Sequence, residues 1–161
     1  MRADARRNLD RVLGAATECF AEGGLDVSID EVARRAGVGH GTVFRRFPTK
    51  EALLDAVLGK EIDRMLLLAQ GALAEDDPWE AFSGFFRACA EGYGHSRALV
   101  EGTERCRELP QMAQLQEAAD EIVRRAQETR ALRRDLTAEE IFELVPAASR
   151  FPDVILDGLH V

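Results

Sequence analysis

One segment has the pattern of two short helices joined by a tight turn: Ser28-Ile-Asp-Glu-Val-Ala-Arg-Arg-Ala-Gly-Val-Gly-His-Gly-Thr-Val-Phe-Arg-Arg-Phe47. Ser28 stands three residues before Glu31, and this spacing is that of a capping box, which starts a helix. Gly37 permits a tight turn, and a very short helix over residues 39–47 is then closed by Pro48. Two helices joined in this way predict a helix-turn-helix, which presents its second helix to the major groove of DNA.

This motif has both a predicted core and a predicted outward face. The core positions are apolar and lie on both sides of the turn: Ile29, Val32, Ala33, Val38, Val43 and Phe47. The outward positions carry small, polar or basic residues: His40, Gly41, Thr42, Arg45 and Arg46. Arginine can grip guanine through two hydrogen bonds, and threonine or histidine can donate to a phosphate or reach a base edge. Lys50, at the start of the next predicted helix, suits a phosphate contact.

The rest of the chain predicts helices joined by short connections, and therefore an all-α fold. No run of alternating Val, Ile and Thr predicts a sheet. Apolar spacing and capping residues predict helices over residues 6–21, 50–74, 78–92, 96–107, 110–131, 137–146 and 151–159. We expect Gly92 and Gly94 to interrupt the helical pattern, which places His95 in a loop. The helix over 50–74 is long enough to link two domains, which we place at residues 1–50 and 51–161.

Charge is distributed unevenly along the chain, whose net charge is −8. Residues 1–50 contain nine Arg and Lys against seven Asp and Glu, whereas residues 51–161 contain twelve against twenty-two. Such a chain can touch DNA with its mildly basic end while the acidic remainder is repelled by phosphates. The apolar runs are far shorter than the roughly 20 residues of a membrane span, and no apolar signal core follows the first residues. We therefore expect a cytoplasmic protein with no membrane partner.

The run from Ser28 to Leu53 closely resembles the N-terminal domain of TetR-family transcriptional regulators. The resemblance rests on the order of Ala-Gly-Val, Gly-Thr, two aromatic residues three apart and Lys-Glu-x-Leu, and it extends back through Phe20-Ala-Glu-Gly-Gly24. It implies an N-terminal three-helix DNA-binding domain, linked by a long fourth helix to a helical bundle for ligand binding and dimerisation. It places DNA contacts at Ser28, His40, Gly41, Thr42, Phe44, Arg46 and Lys50, with Arg45 as an additional contact. Family members often have Tyr where this chain has Phe44, and the missing hydroxyl removes one phosphate hydrogen bond.

The resemblance also implies a mode of action. The expected protein is a homodimer that binds a palindromic operator in double-stranded DNA, usually as a repressor, and that a small-molecule inducer releases. The inducer pocket would lie among the helices of residues 51–161 and suit an apolar or aromatic molecule. Its candidate residues are Phe82, Phe85, Phe86, Cys89, Tyr93 and Met112. Judged by spacing alone, the aromatic residues either line such a cavity or fill a plain core.

Dimerisation in the family uses the last two helices, which correspond here to residues 137–145 and 151–159. The expected interface residues are Leu144, Val145, Phe151, Val154 and Ile155. Pro146 and Pro152 bracket a connection shorter than the family usually has, so either the protein is compact there or the sequence omits a stretch.

Other interpretations stay open at this point. No Gly-rich phosphate loop, HExxH pair or GxSxG elbow is present, so we predict no catalytic residues and no cofactor. The rival classes are a helical interaction module without operator binding and, less favoured, a small helical enzyme. Cys89 and Cys106, with His95, either form a redox or metal-sensing group or are inert, and we predict no metal site. The arginine pairs at 124–125 and 133–134 either form a second nucleic-acid patch or a solvated helix face. Arg2, Arg6 and Arg7 either form an arm on DNA or a solvated helix start.

Overall fold

The described part of the chain, in a computed structural model, runs from Arg2 to Val161, with side chains described from Asp4 onward. Its helices are α1 (Arg2–Gly23), α2 (Ile29–Ala36), α3 (His40–Arg46), α4 (Lys50–Leu73), α5 (Pro78–His95), α6 (Arg97–Glu101), α7 (Thr103–Glu108), α8 (Gln111–Glu128), α9 (Ala138–Phe142), α10 (Val145–Ala148) and α11 (Pro152–Leu159). A 3-10 turn, Gly24–Asp26, separates α1 from α2. Over these residues there is no strand beyond an isolated bridge between Leu132 and His160. The all-α prediction is confirmed. No helix in this described range is long and apolar enough to cross a membrane.

The capping residues start their helices where the sequence predicts. The Thr49 hydroxyl accepts the amide hydrogen of Ala52 at 3.1 Å at the start of α4. The Asp77 carboxylate accepts that of Trp79 at 2.8 Å at the start of α5, and Thr137 begins α9 with a complete capping box. Each cap supplies a partner for an amide that would otherwise lack one in the first turn.

Helix α5 runs on to His95, so the predictions of an interruption at Gly92 and Gly94 and of a loop at His95 are wrong. These glycines serve close packing instead. A Cβ at Gly94 would lie 3.3 Å from the Cβ of Ser149, tighter than most such contacts. The Nδ1–H of His95 donates to the carbonyl of Glu91 at 2.7 Å, which holds the side chain back along the helix.

Two predicted helices are divided in the structure. The segment over 96–107 forms α6 and α7 on either side of Gly102, where a Cβ would overlap the carbonyl of Ala98 and lie 3.2 Å from Leu58. The segment over 137–146 forms α9 and α10, and Pro146 lies in the first turn of α10. A proline is tolerated there because its missing N–H is not needed in a first turn.

The chain divides into two compact units. Unit 1 contains the chain up to Glu61 together with Ser96–Leu109, and unit 2 contains Ile62–His95 and Pro110–Val161. The core of unit 1 is apolar: Val12, Ala16, Phe20, Val32, Val43, Leu53 and Leu58 are buried in it. The core of unit 2 is centred on α5 and α8, with Phe82, Phe86, Ile122, Leu132, Ile141 and Leu156 fully buried. Burial of these side chains is the main favourable term in folding each unit.

Within unit 1, a side chain of α6 hydrogen-bonds to the turn that precedes α2. The Glu101 carboxylate accepts the amide hydrogen of Leu25 at 2.7 Å and binds the Arg97 guanidinium at 2.7 Å. These contacts, chiefly the Leu25 amide, hold the pKa of Glu101 below its ordinary value. Gly24 has a φ of +65°, and a Cβ there would overlap the Glu101 carboxylate. The α1–α2 connection therefore requires glycine at this position.

Candidate nucleic-acid interface

The first helix of the helix-turn-helix begins with a reciprocal cap. The Ser28 hydroxyl accepts from the amide of Glu31 at 3.2 Å, and the Glu31 carboxylate accepts from the amide of Ser28 at 2.8 Å. The Ser28 hydroxyl also donates to that carboxylate at 3.0 Å. These donors, the Ser28 amide first, lower the pKa of Glu31. Ser28 is exposed as a DNA contact must be, but its hydroxyl hydrogen is directed at Glu31.

The turn between α2 and α3 depends on Gly37, which has φ 64° and ψ 38°. In this left-handed conformation the amide of Val38 donates to the carbonyl of Ala33 at 3.0 Å, which ends α2. Arg11, from α1, donates to the carbonyl of Ala36 at 2.6 Å and so satisfies another free carbonyl. The role of Arg11 is not visible in the sequence, because the two residues lie 25 positions apart.

Helix α3 presents one face to solvent and one to the core. Val43 and Phe47 are buried, as predicted for the motif's core, whereas Thr42 is half-buried. The exposed residues of this segment are His40, Gly41, Phe44, Arg45 and Arg46. Helix α3 contains no acidic residue, so its exposed face offers hydrogen-bond donors and positive charge to a ligand. That these side chains contact DNA stays a prediction.

The cationic side chains predicted to contact DNA differ in how many of their hydrogen-bond donors already bind groups of the protein. Arg45 donates from Nε to the carbonyl of Gly41 at 3.1 Å, which leaves its terminal nitrogens available. Lys50 is half-buried and donates from Nζ to the carbonyl of Leu25 at 2.7 Å. Since an ammonium group has three hydrogens, two remain for another acceptor. Arg46 is exposed.

The structure adds a residue that sequence analysis missed. His40 pairs through Nδ1 with the Asp30 carboxylate at 2.6 Å, and its ring stacks on that of Phe44, with centroids 5.9 Å apart and planes 19° apart. Asp30 belongs to α2 and His40 to α3, so only the geometry of the turn brings them together. Their spacing of ten residues carries no recognised signal.

A groove of about 540 Å³ lies between α1 and α3 in unit 1. Its lining combines apolar residues, two neutral polar residues and three arginines: Ala5, Arg6, Asn8, Leu9, Val12, Thr42, Val43, Arg45, Arg46 and Phe47. Arg7 pairs instead with the neighbouring Asp4. The side chain of Arg2 lies outside the described residues. An N-terminal arm on DNA therefore stays a prediction.

The predicted ligand-binding residues all belong to unit 2, but they differ in burial. Phe82, Phe85 and Phe86 are at most 4% exposed, and the rings of Phe82 and Phe86 lie 5.6 Å apart. Cys89 is half-buried and packs against the same core, and Tyr93 and Met112 are also half-buried. The structure thus brings the three phenylalanines and Cys89 into one apolar cluster.

The three cysteines are free thiols. Burial raises the pKa of Cys89 to about 12, and it also raises the pKa values of Cys19 and Cys106. Among residues 4–161, no group of three or more His, Cys, Asp or Glu side chains is arranged to hold a metal ion. Raised pKa values reduce thiolate formation, which favours the interpretation of Cys89 and Cys106 as inert.

Both arginine pairs of unit 2 are engaged within the protein. In the pair at 133–134, Arg133 pairs with Asp135 and Arg134 donates to the carbonyl of Gln127, both at 2.7 Å. Arg124 pairs with Glu121 at 2.8 Å on the surface of α8. Arg125 donates to the carbonyls of Leu73 and Glu75, both at 2.8 Å, where α4 ends. These contacts agree with a solvated helix face and a helix cap rather than with a second nucleic-acid patch.

Comparison with known proteins decides the family. Residues 12–57 match the family described as bacterial regulatory proteins, tetR family. Residues 77–160 match the one described as transcriptional regulator SbtR-like, C-terminal domain. The chain belongs to the TetR family. Together the two matches include α2, α3, α5 and every later helix of unit 2.

Similar proteins agree with this assignment. The TetR transcription regulatory protein from Mycobacterium vanbaalenii has a crystal structure that is 40% identical in sequence, covers 99% of each chain and has a TM-score of 0.71. The HTH-type transcriptional regulator SAR0097 of Staphylococcus aureus is 35% identical over 81 residues, 48% of this chain and 42% of its own length. The HTH-type transcriptional repressor Rv3405c of Mycobacterium tuberculosis is 48% identical over 59 residues, 34% of this chain and 31% of its own length. The chain spans less than half the length of these two curated relatives.

As a TetR-family member, the protein is a DNA-binding helix-turn-helix transcriptional regulator and not an enzyme. The predicted family and fold class are confirmed, and the alternative of a small helical enzyme is set aside. Family membership also implies operator binding and a ligand-responsive C-terminal domain.

Proposed function

We propose that this regulator binds a palindromic operator as a homodimer through α3, and that it represses transcription until a small apolar or aromatic inducer releases it. The observation that carries the proposal is the exposed face of α3, to which the helix itself contributes His40, Arg45 and Arg46 and no acidic residue. One such helix reads few base pairs, whereas two related by a two-fold axis read an inverted repeat. Repression is supported by the relative Rv3405c, whose name describes a transcriptional repressor. In this proposal residues 1–50 bind DNA and residues 51–161 serve ligand binding and dimerisation.

The DNA contact is tested through the salt dependence of operator binding. In a homodimer, Arg46→Ala removes one cation from each protomer. If both contact phosphate, the slope of log K against log salt falls by about 1.8, because each lost contact contributes about 0.9. Arg150→Ala is the matched control, since Arg150 is an exposed arginine of unit 2 far along the chain from α3. Equal slopes for the wild type and both variants would remove Arg46 from the interface.

Dimerisation is supported by two exposed apolar side chains at the start of α11. Phe151 is 62% exposed and Val154 is 70% exposed, whereas Leu144, Val145 and Ile155 pack partly against the core of unit 2. Large apolar side chains grouped on a surface mark an interaction site more often than chance.

The association is tested by sedimentation velocity with the Val154→Glu variant. A glutamate at a two-fold interface brings like charges together and must be desolvated, so we expect a monomer. Leu67→Glu is the matched control, because Leu67 is also exposed, at 68%, but belongs to α4. A wild-type monomer, or a Val154→Glu dimer as stable as the control, contradicts this part of the proposal.

For the inducer, we propose contacts with Phe82, Phe85, Phe86, Cys89, Tyr93 and Met112. Trp79, the one tryptophan of the chain, has its ring 5.7 Å from that of Phe82. Its fluorescence can therefore report a molecule that enters this cluster. We expect a compound from a panel of small apolar and aromatic molecules both to change this fluorescence and to release operator DNA. Compounds that bind here and leave operator affinity unchanged would contradict release by an inducer.

A further inference from the structure

Two contacts restrain the imidazole of His40 on the exposed face of the helix-turn-helix. The first is the 2.6 Å contact between its Nδ1 and the Asp30 carboxylate. Because an ionised carboxylate has no hydrogen to donate, the hydrogen of this bond belongs to Nδ1. The contact crosses the turn, since Asp30 lies in the first turn of α2 and His40 is the first residue of α3.

The second restraint is the aromatic ring one helical turn further along α3. Phe44 stacks on the imidazole at 5.9 Å with planes 19° apart, and it is itself 49% exposed. The carboxylate fixes which nitrogen faces the protein, and the stack fixes the plane of the ring. Within the described range, Nε2 makes no hydrogen bond, and the His40 side chain is 55% exposed.

The tautomer determines what Nε2 can recognise. In a neutral imidazole with its hydrogen on Nδ1, Nε2 is a hydrogen-bond acceptor. The donors on base edges in the major groove are the 6-amino group of adenine and the 4-amino group of cytosine. A ring held by Asp30 is therefore suited to one of these exocyclic amino groups.

Stability does not account for the Asp30 contact. The two side chains are 55% and 80% exposed, and exposed pairs of this kind contribute little to folding. A carboxylate on the face that meets DNA also repels phosphates and so weakens binding to every sequence. In the first turn of α2 its charge favours the helix N-terminus, as a carboxylate at any such position does. The effect particular to this contact is to orient the imidazole.

We propose that Asp30 is a positioning residue for base recognition: it holds His40 so that Nε2 accepts a hydrogen bond from the exocyclic amino group of one adenine or cytosine in each half-site. This inference rests on the proposed operator binding through α3. It assigns Asp30 a role that raises specificity while lowering general affinity.

The test is selection of bound sequences from random duplex DNA, using the full chain. We expect Asp30→Ala and His40→Ala to lose the preference at the same base pair of each half-site by about two- to tenfold, the range of one hydrogen bond. Asp30→Asn retains an acceptor oxygen and should retain the preference. Asp30→Ala should also bind non-specific DNA more tightly than the wild type. Asp10→Ala, which removes an exposed carboxylate from α1, controls for charge alone.

A modified operator tests the acceptor directly. At the base pair identified by selection, the adenine or cytosine is replaced by an analogue without its amino group. The wild type should lose affinity by about the same factor, whereas Asp30→Ala and His40→Ala should not change.

Three results would overturn the inference. The first is a preference lost in Asp30→Ala but kept in His40→Ala, which would show that Asp30 reads DNA itself. The second is an unchanged preference in both variants, and the third is wild-type affinity for the amino-free operator. Failure of the proposed function would be distinguished from these results, because the wild type itself would then enrich no inverted repeat.

Discussion

Two glycines of the helix-turn-helix should respond in opposite ways to the same substitution. Gly37 has a φ of +64° in the turn, and a Cβ there would also lie 3.0 Å from the Arg11 guanidinium. Gly41 lies inside α3 with helical backbone, and a Cβ there would meet no protein atom within 4 Å. Replacement by alanine thus tests backbone strain at Gly37. At Gly41 it tests whether DNA lies against this position of α3.

The expected free-energy changes follow from these conformations. An L-residue in the left-handed region costs about 1–2 kcal/mol, and the Arg11 side chain can move aside, so Gly37→Ala should lower the free energy of unfolding by about that amount. Alanine in a helix is about 0.5–1 kcal/mol more favourable than glycine, so Gly41→Ala should raise it. The two variants should therefore differ by about 1.5–3 kcal/mol, the sum of these estimates.

DNA binding should change in the reverse order. Gly41 is a proposed DNA contact, so its added methyl group should weaken operator binding by about tenfold for each half-site, the scale of one lost contact. Gly37→Ala leaves the exposed face of α3 unchanged and should retain the affinity of the folded protein. Urea unfolding followed by circular dichroism measures the stabilities, and fluorescence anisotropy measures the affinities. Equal losses of stability in the two variants, or wild-type operator affinity in Gly41→Ala, would contradict these expectations.

Other predictions concern single groups. Hydrogen bonds from Ser28 lower the pKa of Glu31 in the folded state from its ordinary value of 4.5. The ionised Glu31 carboxylate therefore contributes fully to the free energy of unfolding above pH 4.5, and this contribution is lost as the pH falls through the lowered pKa. Urea unfolding against pH should then show Glu31→Gln to be less sensitive to acid below about pH 4.5 than the wild type. With its pKa raised to about 12, Cys89 should react with a thiol reagent at neutral pH only after unfolding, and rapid labelling of the native protein would contradict its burial. Arg125→Ala removes two charged hydrogen bonds at the end of α4 and should lower the free energy of unfolding by about 1–3 kcal/mol; a loss no larger than for Arg124→Ala, whose partners are surface carboxylates, would contradict the capping role.

Local features of the fold could be predicted from the sequence. Helix caps and turn glycines contact only residues a few positions away, so a short segment of sequence is enough to predict them. The examples are Ser28 with Glu31, Gly37, Thr49 and Asp77. The exposed and buried positions of the helix-turn-helix follow for the same reason, because helical periodicity relates neighbouring turns.

Features that depend on distant residues could not be predicted. Gly94 resembles a helix breaker until Ser149 is seen against it. The pairing of Asp30 with His40 depends on the angle at the turn, and the contact of Glu101 with Leu25 joins residues 76 positions apart. Each of these contacts depends on tertiary packing, which cannot be derived from the spacing of residues in a single sequence.

The residues that would bind a ligand were the hardest feature to predict from the sequence. Phe82, Phe85 and Phe86 have the spacing both of a core and of a pocket wall, and the structure buries all three in one apolar cluster, which agrees with either role. Aromatic spacing cannot separate these roles, because an apolar pocket is lined by the same side chains that fill a core.

The proposed function requires the chain to recognise a specific DNA sequence through paired copies of α3. Selection of bound sequences from random duplex DNA by the full wild-type chain tests it most directly. We expect enrichment of an inverted repeat whose half-sites are about one helical turn, or a multiple of it, apart. Recovery of sequences with no common repeat, at the affinity of unselected DNA, would contradict it.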